Sequence, residues 1–565
     1  MDEVAQPALA PVELLAKADC PFSQETVELS KQDYIQLKWD AQYWKGQHAR
    51  AVAREAQLKE EVENGKARIR DLEQRLYGKK SEKSTHVSSH HEGRSARKRG
   101  QQRGTAGHGR TQRAQLPVVG EKHDLDEDEK HCSACGKQFV EFDRTEDSHI
   151  VEVEVRAHVR KIIRRQYTKG CDCAGTPGII TAAPAPRLIP KSPYGVSIWT
   201  EVLLDKYLYS RPTHRLCQGW SHHGLAIAQG TLTGGLRKLS VMFEPLVAAM
   251  LARQMAEPLF HGDETGWKVF EAIEGKVGYR WYLWVMQSAS VVFYQMAPGR
   301  GAEVPKEHFA GLAPELTQVI VVCDRYVAYK CLADDNVLVL LAFCWAHVRR
   351  DFLDAARSWP QLEGWMLTWV EDIAELYVLN ARRLEWWDET KSLTEQSSLF
   401  LEHHEGLGAK LEQMEQRRDT CLLGELHRAQ RKVLESLKNH WEGLTVFLEH
   451  PAVKMDNNTA ERSVRNPVTG RKNYYGSGSV WSAHLAAMMF TVLQTVMLWG
   501  LNPRHWLHAF LQACAENGAT TPADLSPFLP WTMTEERTSE LSQPRVVAWP
   551  NATEARAGPE VIDTS

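Results

Sequence analysis

At 565 residues the chain exceeds one ordinary hydrophobic core, and 43% hydrophobic with 25% charged residues is the balance of a soluble multidomain protein. A net charge of −4 argues against a uniformly basic polyanion binder but leaves room for local basic stretches. The opening MDEVAQPALAPVELLAKADC lacks the basic flank and apolar core of a signal peptide, and runs such as Val337 to Cys344 are too short to cross a bilayer.

An N-terminal tail (1–33) precedes a charged, proline-free segment (34–78) with a loose heptad. One seam position holds Leu37, Trp44, Ala51, Leu58 and Leu72; the other holds Tyr34, Ala41, Val62, Ile69 and Leu76, with His48, Glu55 and Gly65 as weak points. The pattern predicts a two-helix coiled coil, with a single amphipathic helix as the alternative. Residues 79–115 form a flexible basic linker. From Lys79 to Arg113 it carries ten Lys or Arg against two Glu, and Arg97, Lys98, Arg99, Arg103 and Arg110 suit non-specific phosphate contact. A solubilising linker is the plainer reading.

Residues 116–180 hold two close cysteine pairs, Cys132/Cys135 and Cys171/Cys173, on either side of the alternating stretch IVEVEVRAHVRKIIRRQY. That arrangement predicts a zinc-ribbon-like, DNA-binding module in which four thiolates hold one structural Zn²⁺. The other seven of the eleven cysteines read as small buried hydrophobes, and the set fits a reducing cytoplasm.

A helical region (181–257) leads into the first part of a mixed α/β domain (258–344). Its predicted order is strand (Pro258–Gly262), strand (Tyr279–Val285), strand (Val291–Met296), helix (Ala302–Leu312), strand (Gln318–Cys323), short helix and strand (Val337–Phe343). QVIVVC lacks polar alternation after its first residue, as in a strand buried on both faces. A helical insertion follows (345–450), where Leu362, Trp365, Met366, Trp369, Val370, Ile373, Leu376 and Tyr377 keep a 3.6-residue period. Its tryptophans are read as core. Then come a short helix and basic loop (451–482), a helical region (483–532) and a disordered tail (533–565). The predicted class is thus multidomain α+β.

Asp263 follows the first predicted strand and Asp324 the fourth. If those strands are parallel neighbours, their ends stand about 5 Å apart. Two carboxylates that close repel one another and call for a cation, and hard oxygen ligands select Mg²⁺ or Mn²⁺. Glu264 is a rival to Asp263. Glu461 is the third acid, on a short helix capped by Asp456 or Asn457 and ended by Asn466-Pro467. Arg462, Arg465, Arg471 and Lys472 place positive charge beside it, which suits phosphate chemistry.

The chain resembles the IS66 family of bacterial insertion-sequence transposases. The likeness rests on RLYGKKSEKS, RGTAGHGR, the cysteine module, PKSPYGVSIWTEVLLDKYLYSRPTHRL, GTLTGGL, DETGW, DRYVAYK, CWAHVRRDF, NNTAERSVRNPVTGRKNYYGSGS and FLPW, in that order. The resemblance implies an RNase H-like catalytic domain with a DDE triad at Asp263, Asp324 and Glu461. It also implies metal-dependent cleavage and joining of DNA at element ends, with element-encoded accessory proteins as further partners. The pair Cys344 and His347 matches a motif of that family and is read as packing and hydrogen bonding rather than half of a metal site. Self-association through the heptad segment, no membrane partner and a cytoplasmic, nucleoid-associated location complete the expectation. The competing readings are a catalytically inactive DNA-binding remnant and a stand-alone RNase H-like nuclease.

Overall fold

A computed structural model describes residues 28–77 and 124–544, apart from 128, 141–150, 152–154, 156, 171–174, 176 and 178. The chain divides into two compact units, one of residues 1–90 with 356–363 and one of the remainder. The first contains α1 (Lys31–Tyr77), a single 47-residue helix. Leu37, Trp44, Leu58 and Leu72 of one heptad position are exposed on it, as are Tyr34, Val62 and Ile69 of the other.

In the second unit the described part of the cysteine module contains one small hairpin, β1 (Gln166–Thr168) paired antiparallel with β2 (Ile179–Thr181). The strand expected from the alternation before Gln166 is not formed by the described residues. Val155, Val159 and Ile163 are exposed there, so an apolar face exists but nothing described covers it.

Helices α2 (Val196–Tyr207), α3 (Thr213–Ser221), α4 (Gln229–Leu239) and α5 (Glu244–Gln254) lead to the central sheet. Its strands are β3 (Leu259–Lys268), β4 (Arg280–Gln287), β5 (Val292–Ala297), β6 (Val319–Cys323) and β7 (Val339–Phe343), in the order β5-β4-β3-β6-β7. The first three are antiparallel, whereas β3, β6 and β7 run parallel. Helix α6 (Glu303–Phe309) connects β5 to β6, and α7 (Val327–Asp335) connects β6 to β7. All five residues of β6 are buried, as its unbroken apolar run requires. The first strand runs six residues beyond its predicted end at Gly262. Pairing with β4 carries it on to Lys268, so Asp263 lies within a strand, opposite Val285, and not after one.

The insertion comprises α8 (Trp345–Ser358), α9 (Glu363–Leu384), α10 (Ser398–Leu423), α11 (Arg428–Asn439) and α12 (Trp441–Glu449). Met366, Trp369, Val370, Ile373 and Leu376 form the buried stripe of α9. Trp369 stacks on Phe352 in the core, but Trp386 is exposed and departs from the expected core role. Buried Arg383 closes the end of α12 by donating to the carbonyls of Phe447 and Leu448, at 2.9 and 3.0 Å.

Helix α13 (Asn458–Tyr474) does not stop at Pro467, contrary to the sequence expectation. A proline there leaves the Ser463 carbonyl without its usual intrahelical donor. The Tyr294 hydroxyl of β5 donates to that carbonyl at 2.8 Å instead, and the helix continues. It ends at Tyr475, which has a left-handed backbone (φ 66°), and at Gly476 (φ 143°), where a Cβ would strike the Lys268 carbonyl. Helix α14 (Val480–Leu498) is long and apolar enough to cross a membrane, yet here it is a core helix against β5. Its Thr491 and Thr495 hydroxyls accept the edge-strand N–H groups of Tyr294 and Val292, at 2.9 and 3.1 Å. Two outward N–H groups of the β5 edge are thereby satisfied. After α15 (Pro503–Glu516), the tail expected to be disordered from Met533 begins with α16 (Glu535–Ser542), whose Leu541 is fully buried. The rest of that tail, 545–565, lies outside the described residues.

Candidate active site

The parallel register pairs Phe260 with Val321 and His261 with Val322. Carried two residues further, it sets Asp263 level with Asp324, on strands spaced about 4.8 Å apart. Glu461 comes from the first turn of α13, which packs on β3. Among the described residues the carboxylates of Asp263, Asp324 and Glu461 do not form a group with all ligand atoms within 4.8 Å of one another, but their charges interact, and Asp324 acts on Glu264 as well. Asp263 feels the negative charges of both others: burial raises its carboxyl to about 8, Glu264, Asp324 and Glu461 push the same way, and the Glu264 N–H opposes the rise.

The rival acid is differently placed. Consecutive strand residues face opposite ways, and Glu264 is already satisfied. Arg300 binds it through Nε at 2.8 Å and through Nη2, and the Tyr329 hydroxyl donates at 3.2 Å. Arg300 in turn lies 3.7 Å over the Tyr326 ring, whose hydroxyl donates to the Arg300 carbonyl at 2.7 Å. Asp263 accepts only a backbone N–H, from Glu264 at 2.8 Å, among the bonds described for it. Asp324 accepts the Tyr326 N–H at 2.9 Å. Arg300 and the tyrosines were not singled out in the sequence. DRYVAYK contains both tyrosines, but only the fold reveals that Tyr326 meets Arg300 while Tyr329 meets Glu264.

Around Glu461, the His347 Nε2 stands 3.9 Å from Oε1, and ligand atoms of Cys344, His347 and Glu461 lie within 4.8 Å of one another. The Cys344 sulfur accepts the Asn457 N–H at 3.2 Å, and burial pushes its thiol upward. The N–H groups of Asn457, His347 and Ala346 oppose that rise, and the side chains of Cys344, His347 and Glu461 form a group that could hold a metal ion. Burial lowers the His347 pKa, and its Nδ1 is buried without a hydrogen-bond partner.

Of the basic residues on α13, Arg462, Arg465 and Lys472 are exposed. Arg471 donates to the Thr265 hydroxyl at 3.1 Å and to the Gly266 carbonyl, so it fastens α13 to β3. Arg97, Lys98, Arg99, Arg103 and Arg110 lie outside the described residues, as do Cys171 and Cys173. Cys132 and Cys135 flank a tight turn in which the Cys132 N–H donates to the Lys137 carbonyl and Gly136 donates back to Cys132, both at 2.8 Å. The N–H groups of Ala134 and Cys135 point at the Cys132 sulfur and lower its pKa.

A mixed sheet whose central parallel strands carry two acids, with a third on a packed helix, defines a class of acid-centred α+β proteins. Residues 191–485, just over half of the chain, match the model of the Transposase IS66 family, and the chain belongs to that family. Two uncharacterized proteins of Sinorhizobium fredii (strain NBRC 101917 / NGR234) are similar to it. Protein y4jD is 24% identical over 433 residues, covering 74% of this chain and 81% of its own. Protein y4hP is 24% identical over 428 residues, covering 71% and 73%. Among solved structures, a Mos1 transposase paired-end complex with left transposon end shares 14% identity over 45% of this chain and 78% of its own. The TM-score of that similarity is 0.12.

Proposed function

We propose that the protein is a DNA transposase whose central sheet is an RNase H-like catalytic domain, with Asp263, Asp324 and Glu461 as its metal-binding triad. The observation that carries this reading is the uncompensated acid at the centre of β3. Glu264 has its cation in Arg300, whereas Asp263 is raised to about 8 by burial and three neighbouring carboxylates. A hard divalent cation answers that charge, and the all-oxygen donor set fits Mg²⁺ or Mn²⁺. When bound, such ions supply activation of an attacking water or 3′-hydroxyl and stabilisation of the leaving oxygen.

The protein's own residues do the rest. β3 and β6 hold Asp263 and Asp324 level; α13 brings in Glu461, with His347 beside it; Arg300 keeps Glu264 out of the cation site. Exposed Arg462, Arg465 and Lys472 lie on the helix that carries Glu461 and suit the DNA backbone, with Arg471 in a supporting position and the 79–115 linker adding sequence-independent attraction. Cys132, Cys135, Cys171 and Cys173 hold a structural Zn²⁺ in this reading. The heptad face of α1 pairs two copies, element-encoded accessory proteins are further partners, and the protein works at the nucleoid. The domain limits are those of the sequence reading, except that the tail begins after α16.

Asp263→Asn should lose strand cleavage and joining by about a thousandfold or more while binding element ends, since an amide keeps the shape but not the charge that holds a hard cation. Asp263→Cys should be inactive with Mg²⁺ and partly active with Mn²⁺. Glu264→Gln should cost far less. Full strand joining by Asp263→Asn would overturn the assignment.

A further inference from the structure

Asn457 sits at the N-terminal boundary of α13 but does not cap it with its side chain. It is 1% exposed, and every polar group it carries is directed at a neighbour of the acids. Its Nδ2 donates to the Gly262 carbonyl at 2.7 Å, one residue before Asp263. Its Oδ1 faces His261 Nδ1 at 3.3 Å, so the amide grips two successive residues of β3. Its backbone N–H donates to the Cys344 sulfur, and its carbonyl accepts the Glu461 N–H at 3.1 Å. Cys344 follows β7 directly, and its own N–H donates to the Cys323 carbonyl at 3.1 Å, one residue before Asp324. One buried asparagine thus stands a single bond from the strand of Asp263, a single bond from Glu461, and two bonds from the strand of Asp324.

Helix capping does not account for this. The capping task has passed to the adjacent Asp456, whose Oδ1 accepts the Asn458 N–H at 3.1 Å. That frees the Asn457 amide to act across the domain. An aspartate in its place would match it in size but could not donate to the Gly262 carbonyl, and it would add a buried negative charge beside the acids.

We propose that Asn457 is a positioning residue that sets the spacing of Asp263, Asp324 and Glu461 and so determines how tightly they hold a divalent cation. Mg²⁺ demands near-ideal octahedral geometry, so loosening this tie weakens its binding more than that of a more tolerant ion. The inference rests on the three-carboxylate reading above.

The test measures binding of Mn²⁺ and Mg²⁺ to the full-length protein by calorimetry, with thermal stability and end binding recorded in parallel. Asn457→Ala and the isosteric Asn457→Asp are compared with wild type and with Asp324→Asn. The expected result is a fall in Mg²⁺ affinity of about tenfold or more in both Asn457 variants, a smaller fall for Mn²⁺, and end binding within about twofold of wild type. Strand joining should recover in part when Mg²⁺ is raised. A folded Asn457→Ala with wild-type metal affinity, alongside an Asp324→Asn that no longer binds, would sink the clamp and leave the triad standing. Unchanged binding in Asp324→Asn would instead remove the triad. If neither Asn457 variant folds, the residue holds the domain together rather than tuning its acids, and the proposal is again overturned.

Discussion

The central sheet and the described part of the cysteine module, each proposed to hold a metal ion, are built by opposite means. In the sheet, β6 is buried end to end, α14 covers the β5 edge, and Asn457 fastens α13 to β3. Asp263, Asp324 and Glu461 sit on or beside the elements that this packing fixes. In the module all six residues of β1 and β2 are exposed, and the Cys132–Cys135 turn is a local hydrogen-bonded loop. Packing can bring charges together against their repulsion; on the proposed zinc reading the module would take much of its order from the ion.

The largest effect that separates the two regions is zinc removal. Chelation should abolish the ordered state of the module and lower end binding, while the tryptophan-rich sheet keeps its unfolding midpoint. Hydrogen exchange on the full chain, read separately over 124–181 and 258–344, checks this. Equal protection of the module with and without chelator would show that it needs no metal.

A second, smaller effect runs in the opposite sense. The Asp263 carboxyl is raised in the folded protein to about 8, so its favourable contribution is complete below the unfolded value near 4 and is lost as pH rises through 8. Metal-free wild type should therefore lose stability between pH 4 and 8 relative to Asp263→Asn. At pH 8 the variant should be the more stable by at least about 1.4 kcal/mol, the worth of one pKa unit. Added Mg²⁺ should erase the difference by stabilising only wild type. Urea midpoints of protein dialysed free of Mg²⁺, at pH 5 and pH 8, give the comparison; parallel curves would mean that Asp263 is not held under strain of charge.

What the sequence showed follows the same division. The β6 strand was legible because an apolar run of that kind has few other places to go, and Asp324 came with it. The sequence ends the strand of Asp263 at Gly262 because DETGW reads as polar; the pairing of Glu264, Thr265 and Gly266 with β4 is a long-range fact. Local rules leave the cap of α13 open between Asp456 and Asn457, and only the fold shows the Asn457 amide turned to Gly262. Arg300 carried no local signal, because its partner Glu264 lies on a strand that is adjacent only in space. Helix α16 was missed for a similar reason: its short polar sequence is anchored by Leu541 in a core built from elsewhere.

The smallest effect tests the point at which local sequence rules failed most plainly, the passage of α13 through Pro467. Proline removes the N–H that would reach the Ser463 carbonyl, and Ser463 is buried. The Tyr294 hydroxyl supplies the missing donor at 2.8 Å. Tyr294→Phe should then leave that carbonyl unsatisfied and cost about 1–3 kcal/mol, the penalty of a buried acceptor without a partner. Pro467→Ala alone restores an N–H where a donor already serves and should change stability little through this bond. In the Tyr294→Phe background it should recover much of the loss, because the helical N–H can now fill the vacant position. The coupling between the two changes, read from urea midpoints in a double-mutant cycle, is the discriminating quantity. Strict additivity would mean that Tyr294 stabilises the helix by packing alone. The loss should be the same with and without zinc, since this bond belongs to the region whose order comes from its own core.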